Sequence, residues 1–256
     1  MFREILSQTP DTLYDYLIDK LKEFGYNDIV SQSEKLFIAA KGVIPIVLIA
    51  HIDTVFDKDR TPRKDILICR DADQGIWWSP HGLGADDKAG IMMILKILEN
   101  TNLRPHILFT VGEETDARGA TAAAELCKEY FKPISYVIEL DRQGYKECVF
   151  YDCNNPAFEE YINGFGFETH HGTFTDISII CPEWGVAGVN LSVGYYWEHS
   201  YMEHFFEYAW KDTYKKVITM LETKCDRIWK YIPLEIKKYK EKDNGKGKQR
   251  EGSSGK

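Results

Sequence analysis

Alternating strands and helices predict an α/β fold, a three-layer α/β/α sandwich around a mostly parallel central sheet. Three observations carry that expectation. Residues 44–50 (Ile-Pro-Ile-Val-Leu-Ile-Ala) form a nearly continuous apolar run, the pattern of a strand buried on both faces. Similar runs recur at 106–111 and 134–140. Helical periodicity fills the intervals between them, as layered α/β folds require.

The elements follow in order. Thr9-Pro10-Asp11 is a helix start, with proline in the first turn. Residues 12–24 then place Leu13, Leu17, Leu21 and Phe24 on a helical period, and Gly25 ends it. Strands are expected at 35–40 and 44–50, a short one at 66–70, and a hairpin or loop at 74–79. Residues 87–100 read as a helix with Ile91, Ile94, Leu95 and Leu98 on one stripe. Small Ala89 and Gly90 would let that helix approach the sheet closely. After the strand at 106–111 comes a helix over 117–130, then the strand at 134–140. Further strands are expected at 148–151, 166–169 and 186–192, with helices at 156–163 and 175–180. A long amphipathic helix is expected over 204–230, with Tyr208, Val217, Leu221 and Ile228 among its apolar positions. From about residue 237 the chain turns Lys/Glu/Gly/Ser-rich, with almost nothing apolar to bury. One domain over 1–236 and a disordered polar tail over 237–256 are therefore expected.

Composition narrows the function classes. At 256 residues and 44% hydrophobic, the chain supports one sizeable core and not generously two. A net charge of −8 argues against a nucleic-acid partner, which calls for a basic face. No apolar run reaches the roughly 18 residues of a membrane span. The six cysteines include no C-x-x-C pair, and no secretory signal opens the chain. Reduced core cysteines and a cytoplasmic location are the expectation.

The chemistry lies in an ordered set of acids and histidines: His51-Ile52-Asp53, Asp86-Asp87-Lys88, Glu113-Glu114, Asp141 and His199. Each sits where a strand ends or a helix begins, and such ends collect function in parallel sheets. Mixed imidazole and carboxylate donors suit zinc, manganese or cobalt. One zinc needs about three protein ligands and an open position. Five well-placed candidates and a spare glutamate fit two metals that share one carboxylate, with a neighbouring carboxylate as general base.

The strings AHIDTV (residues 50–55), GLGADDKAGI (82–91), TVGEETDARGA (110–120) and NLSVGYYWEHS (190–200) together resemble the co-catalytic zinc exopeptidases, the M20, M28 and M42 groups of one clan. The first two look most like the peptidase T-like branch, and the resemblance spans roughly residues 35–220. It implies a metal-dependent exopeptidase, an aminopeptidase on short peptides holding two divalent ions, Zn2+ first, with Co2+ or Mn2+ as alternatives. His51 and Asp141 would complete one site, Glu114 and His199 the other, and Asp86 would bridge them. Asp53 would bond the second nitrogen of His51 and fix its tautomer. Glu113 would take a proton from the attacking water and return it to the leaving amine. A carboxypeptidase or N-acyl amino-acid deacylase is the alternative chemistry, and a non-catalytic binding module keeping the fold is the alternative class.

One departure stands out. Members of the M20 group carry an inserted lid domain, whereas Asp141 and His199 are only 58 positions apart here. A lidless core leaves the oligomeric state and the oxyanion donor open, with Tyr195, Tyr196 or His171 as candidates for the latter. Asp176, Tyr195 and His171 are the substrate-side candidates. Against these stand plainer expectations. One of Asp86 and Asp87 caps the helix that follows. His170-His171 is a loop pair, His81 and His106 are structural, and the aromatics around Tyr195 pack in the core.

Overall fold

The computed structural model describes residues 1–31, 34–58 and 61–234. In chain order its elements are α1 (Phe2–Leu6), α2 (Pro10–Glu23), β1 (Ile29–Ser31), β2 (Phe37–Ala40), β3 (Ile44–His51), β4 (Cys69–Asp71), β5 (Ile76–Trp78), α3 (Ala85–Asn100) and β6 (Pro105–Thr110). Then come α4 (Arg118–Leu126), α5 (Lys128–Phe131), β7 (Tyr136–Arg142), β8 (Glu147–Val149), α6 (Pro156–Asn163), β9 (Glu168–Thr169), α7 (Ile177–Trp184), β10 (Gly188–Ser192), β11 (Tyr195–Tyr196), β12 (His204–Phe206) and α8 (Glu207–Glu222).

Eight strands form the main sheet in the order β1-β2-β6-β3-β7-β10-β8-β9. Its central four, β6, β3, β7 and β10, run parallel, and antiparallel strands flank them. Alternation along β3 explains why the strand is apolar throughout. Ile46, Leu48 and Ala50 face one core, which α2, α3 and α8 cover. Val47 and Ile49 face the other, which α4 and α7 cover. Removing each such side chain from water contributes about 1.5–3 kcal/mol. The result is the expected layered architecture, a large mixed sheet flanked by helices.

Helix ends obey local chemistry. Thr9 caps α2 by exchanging hydrogen bonds with Thr12. Asp87 accepts from the Gly90 amide at 3.2 Å, and the backbone of Asp86 and Asp87 is not yet helical. A Cβ on Gly90 would fall 2.2 Å from the Leu140 carbonyl, so the close approach of α3 to β7 depends on that glycine.

Three expectations need correction. The helix over 117–130 breaks at Cys127 into α4 and α5. The helix over 204–230 is too long at both ends. Phe205 pairs with Trp77 in a second, four-stranded antiparallel sheet, β11-β12-β5-β4. Beyond Glu222 the chain is extended, held by the Trp229 amide on the Ser135 carbonyl and the Ala187 amide on the Trp229 carbonyl. Amphipathic spacing there reflected apolar anchors on an extended segment, Trp229 among them. The short strand expected at 66–70 forms at Cys69–Asp71. The expected polar tail, 237–256, lies outside the described residues. Among those residues no helix is long and apolar enough to cross a membrane.

Candidate metal centre

The acids and histidines gather from the carboxyl ends of β3, β6 and β7, from the start of α3, which gives Asp86, and from the loop between β11 and β12, which gives His199. His51 is the last residue of β3, and Asp141 lies near the end of β7. Glu113 and Glu114 follow β6, and the turn is held by Gly112, whose φ of +93° suits only glycine. His199 sits in the loop between β11 and β12 with φ of +59°.

The donor atoms form two triplets, His51/Asp86/Asp141 and Asp86/Glu114/His199, each within 4.8 Å. His51 Nε2 lies 3.0 Å from Asp86 Oδ1 and 3.4 Å from Asp141 Oδ1. His199 Nε2 lies 3.2 Å from Asp86 Oδ2 and 2.9 Å from Glu114 Oε2. Asp86 thus offers one oxygen to each triplet. Ligands around a tetrahedral zinc sit about 3.3 Å apart, so both sets of spacings fit a divalent cation. Glu114 Oε1 is buried without a hydrogen-bond partner, which suits an atom with a cation to meet. The set fits two cations sharing Asp86.

The neighbours of the triplets fix their orientation. His51 Nδ1 donates to the Asp53 backbone carbonyl at 2.9 Å, which leaves Nε2 free to ligate. The expected contact through the Asp53 carboxylate is longer, at 3.8 Å. That carboxylate accepts instead from the amides of Gly112, at 2.7 Å, and Glu114, at 3.3 Å, tying β3 to the glutamate turn. Asp87 lies behind the centre and accepts from the His51 amide at 3.2 Å. Lys88 turns away and donates to the Gln8 carbonyl at 2.9 Å.

Electrostatics express an excess of buried acid. Burial alone would depress the His51 imidazolium, yet Asp141 and Asp86 lift it well above its ordinary value. Hydrogen bonds to Asp86 and then Glu114 lift His199 to about 11. Burial would raise Asp86, but hydrogen bonds from His199 and His51 hold it below the usual carboxylate range. Burial raises Asp141 to about 7 against the pull of His51. Burial also lifts Glu113 to about 8, with His51 opposing and Asp141, Asp176 and Asp86 adding to it.

The substrate-side candidates fare differently. Tyr195 borders the groove and donates from its hydroxyl to Asp141 Oδ1 at 3.0 Å, so it steadies a donor. Asp176 is buried and accepts from the Thr110 hydroxyl, which removes it from any substrate surface. His171 is exposed and borders neither half of the groove. Tyr196 stacks on His204, with ring centroids 5.7 Å apart. His204 itself donates to the Met202 carbonyl at 2.9 Å, and His199 alone of the two joins the triplets.

The sequence reading missed two buried acids. Glu203 is fully buried and accepts from the amides of Gly84, at 2.6 Å, and Asp86, at 2.9 Å. It holds the loop that presents Asp86, and its spacing of four from His199 was the available signal. Glu139 lies two residues before Asp141, on the same face of β7, and is buried beneath the centre.

No protein-family model matches the chain, and no curated protein matches its sequence. Solved structures do share its fold. Aminopeptidase PepT from Bacillus cereus ATCC 10987 superposes with a TM-score of 0.70 at 16% identity, covering 86% of this chain and 96% of that one. A tripeptidase from Staphylococcus aureus gives 0.69 at 16% identity, over 86% and 96%. A glutaminyl cyclase from Porphyromonas gingivalis gives 0.58 at 16% identity, over 86% and 94%. At such identities the likeness establishes the layered α/β fold.

Proposed function

We propose that the chain is a metal-dependent exopeptidase, an aminopeptidase acting on short peptides. The observation that carries this is the pair of donor triplets sharing Asp86, with Glu113 beside them at the wall of an open groove. The aminopeptidase and tripeptidase of the same fold support it. His51, Asp86 and Asp141 would hold one ion, and Asp86, Glu114 and His199 the other. Two divalent ions, zinc by preference, supply an acidified water and a polarised peptide carbonyl when bound.

Glu113 has the position and the environment of a general base. It borders the groove and is not one of the donors of either triplet. A carboxyl lifted toward neutrality can accept a proton from water and return it to a leaving amine. Tyr195 and Thr175 hold the two oxygens of Asp141, at 3.0 Å each, and keep it oriented through that exchange. Between Asp141 and His199 the described residues build strands and helices of the same layers. This supports a single catalytic domain working without an inserted lid.

The test is hydrolysis of one short peptide by the zinc-loaded protein in three forms: both ends free, N-acetylated and C-amidated. Cleavage is expected for the free and amidated forms and not for the acetylated one. Glu113→Ala is expected to keep its metal and lose about 10²–10⁴-fold in kcat. A wild-type rate in that variant refutes the assigned base. Cleavage that survives acetylation and requires a free carboxylate replaces the aminopeptidase with a carboxypeptidase or deacylase.

A further inference from the structure

The groove beside Glu113 has two halves of different chemistry. Glu113, Phe174 and His199 border both, so a reacting bond sits where the halves meet. The half on the Asp141 side is narrow, about 160 Å³, and its wall carries Arg142 and Glu198. The half on the Glu114 side is wider, about 480 Å³, and is lined by Ala117, Ile179 and Phe174. Phe174 remains 50% exposed, a large ring with open space beside it.

Charge distinguishes the two ends of a peptide in the narrow half. Arg142 is already committed, with Nε and Nη2 each 3.2 Å from Glu147 Oε2. His199, the other cation of that wall, belongs to a donor triplet, so among the described lining residues no unengaged cation remains to receive a carboxylate. Asp86 and Asp141 belong to the donor triplets, and Glu113 is the base. Glu198 is the remaining acid on that wall; it forms no direct salt bridge among the described residues, although His199 and Arg142 stand near enough to act on its charge. A half-buried carboxylate with no direct salt-bridge partner still has room for a cation from the ligand.

Resting on the aminopeptidase reading, we infer that Glu198 receives the free α-ammonium group of the substrate, with its small first residue in the narrow half. Phe174, Ala117 and Ile179 receive the side chain after the scissile bond. The substrate class is an unblocked short peptide with a small first and an apolar second residue.

Alanyl-phenylalanine, alanyl-glycine and N-acetyl-alanyl-phenylalanine test this with the zinc-loaded protein. Turnover is measured in the wild type, Glu198→Gln and Phe174→Ala. Binding is measured by calorimetry with the same two changes in a Glu113→Ala background, and metal content is assayed throughout. Glu198→Gln is expected to weaken the two free-amine peptides about tenfold, in KM and Kd rather than kcat, and to leave the acetylated peptide unchanged. Phe174→Ala is expected to erase the preference for phenylalanine over glycine. Equal losses for free and acetylated peptides, or an intact preference in Phe174→Ala, overturn the inference. Glu198-dependent binding without turnover in the wild type refutes the enzyme reading and keeps the assignment of the groove. Turnover indifferent to Glu198 does the reverse.

Discussion

Loading the metal-free protein with zinc at pH 7 is expected to release about two protons from the two histidines. The count follows from the acids around each ring. Asp86 and Glu114 lift His199 to about 11. Burial opposes protonation of His51, but Asp141 and Asp86 overcome it and hold that imidazolium well above its ordinary value. On these shifts each ring would carry a second proton in the metal-free protein, and each would have to lose it to ligate a metal. Glu113 and Asp141, raised by burial to about 8 and about 7, add a further fraction. Calorimetric titration in buffers of different ionisation enthalpy reads the number directly. His199→Ala should lower it by about one, since one histidine is gone. A slope near zero, or a count indifferent to His199, refutes the idea that protons occupy the proposed cation sites. The same shifts set the sign of stability against pH. All four groups are raised, so each binds its proton more tightly in the metal-free fold than in the unfolded chain, and the stability these four contribute is lost as pH rises. For Glu113 the loss runs from about 4.5 to about 8, and for His199 from about 6.5 to about 11. Zinc should reverse the trend up to neutrality, because protons compete for its ligands. Thermal unfolding from pH 5 to 9, with and without zinc, checks both directions.

Two further outcomes test the supports of the centre. Glu203→Gln should weaken metal binding about 10–100-fold, the usual effect of removing a partner that orients a ligand; equilibrium dialysis of the purified variant measures it. Unchanged affinity would show that an amide oxygen holds the Gly84 and Asp86 amides as well as the Glu203 carboxyl does. Gly90→Ala should destabilise the fold by more than about 1 kcal/mol, because the added carbon meets the Leu140 carbonyl at 2.2 Å and Asp87 Oδ1 at 2.6 Å. Denaturant unfolding measures that loss, and a neutral result would mean α3 can retreat from the sheet freely.

Legibility in the sequence followed how local each signal was. The strand 44–50 was readable because both faces of β3 are buried, which forces an apolar side chain at nearly every position. The helix at 156–163 was readable because Asn155 and Pro156 mark its first turn, and the Asn155 side chain accepts from the Phe158 amide at 3.2 Å. The second sheet was not readable, since β12 pairs with β5, more than a hundred positions earlier, over three residues. Donor types were legible because imidazoles and carboxylates cluster at strand ends. What each donor does depended on direction. Which atom of Asp53 meets His51 is decided by the turn after β3, and the buried place of Asp176 is decided by Thr110 on β6. Neither is encoded in spacing.

The paired acids show how one strand end serves two tasks. In both doublets the two neighbouring carboxylates are sent to different partners. After β6, Glu114 turns inward to His199 while Glu113 remains at the groove wall. At the start of α3, Asp86 turns to both histidines, while Asp87 turns back to the amides of Gly90 and His51. In each pair one acid meets the donor cluster and its neighbour faces an adjoining task, the proposed proton transfer in the first and helix capping in the second. Exchanging the roles requires reversing the backbone. Swapping a doublet by mutation therefore changes nothing, and deleting one member removes one task. Glu113→Ala and Glu114→Ala should accordingly fail differently, the first keeping its metal without turnover and the second losing metal affinity. Identical phenotypes would contradict the proposed division of labour.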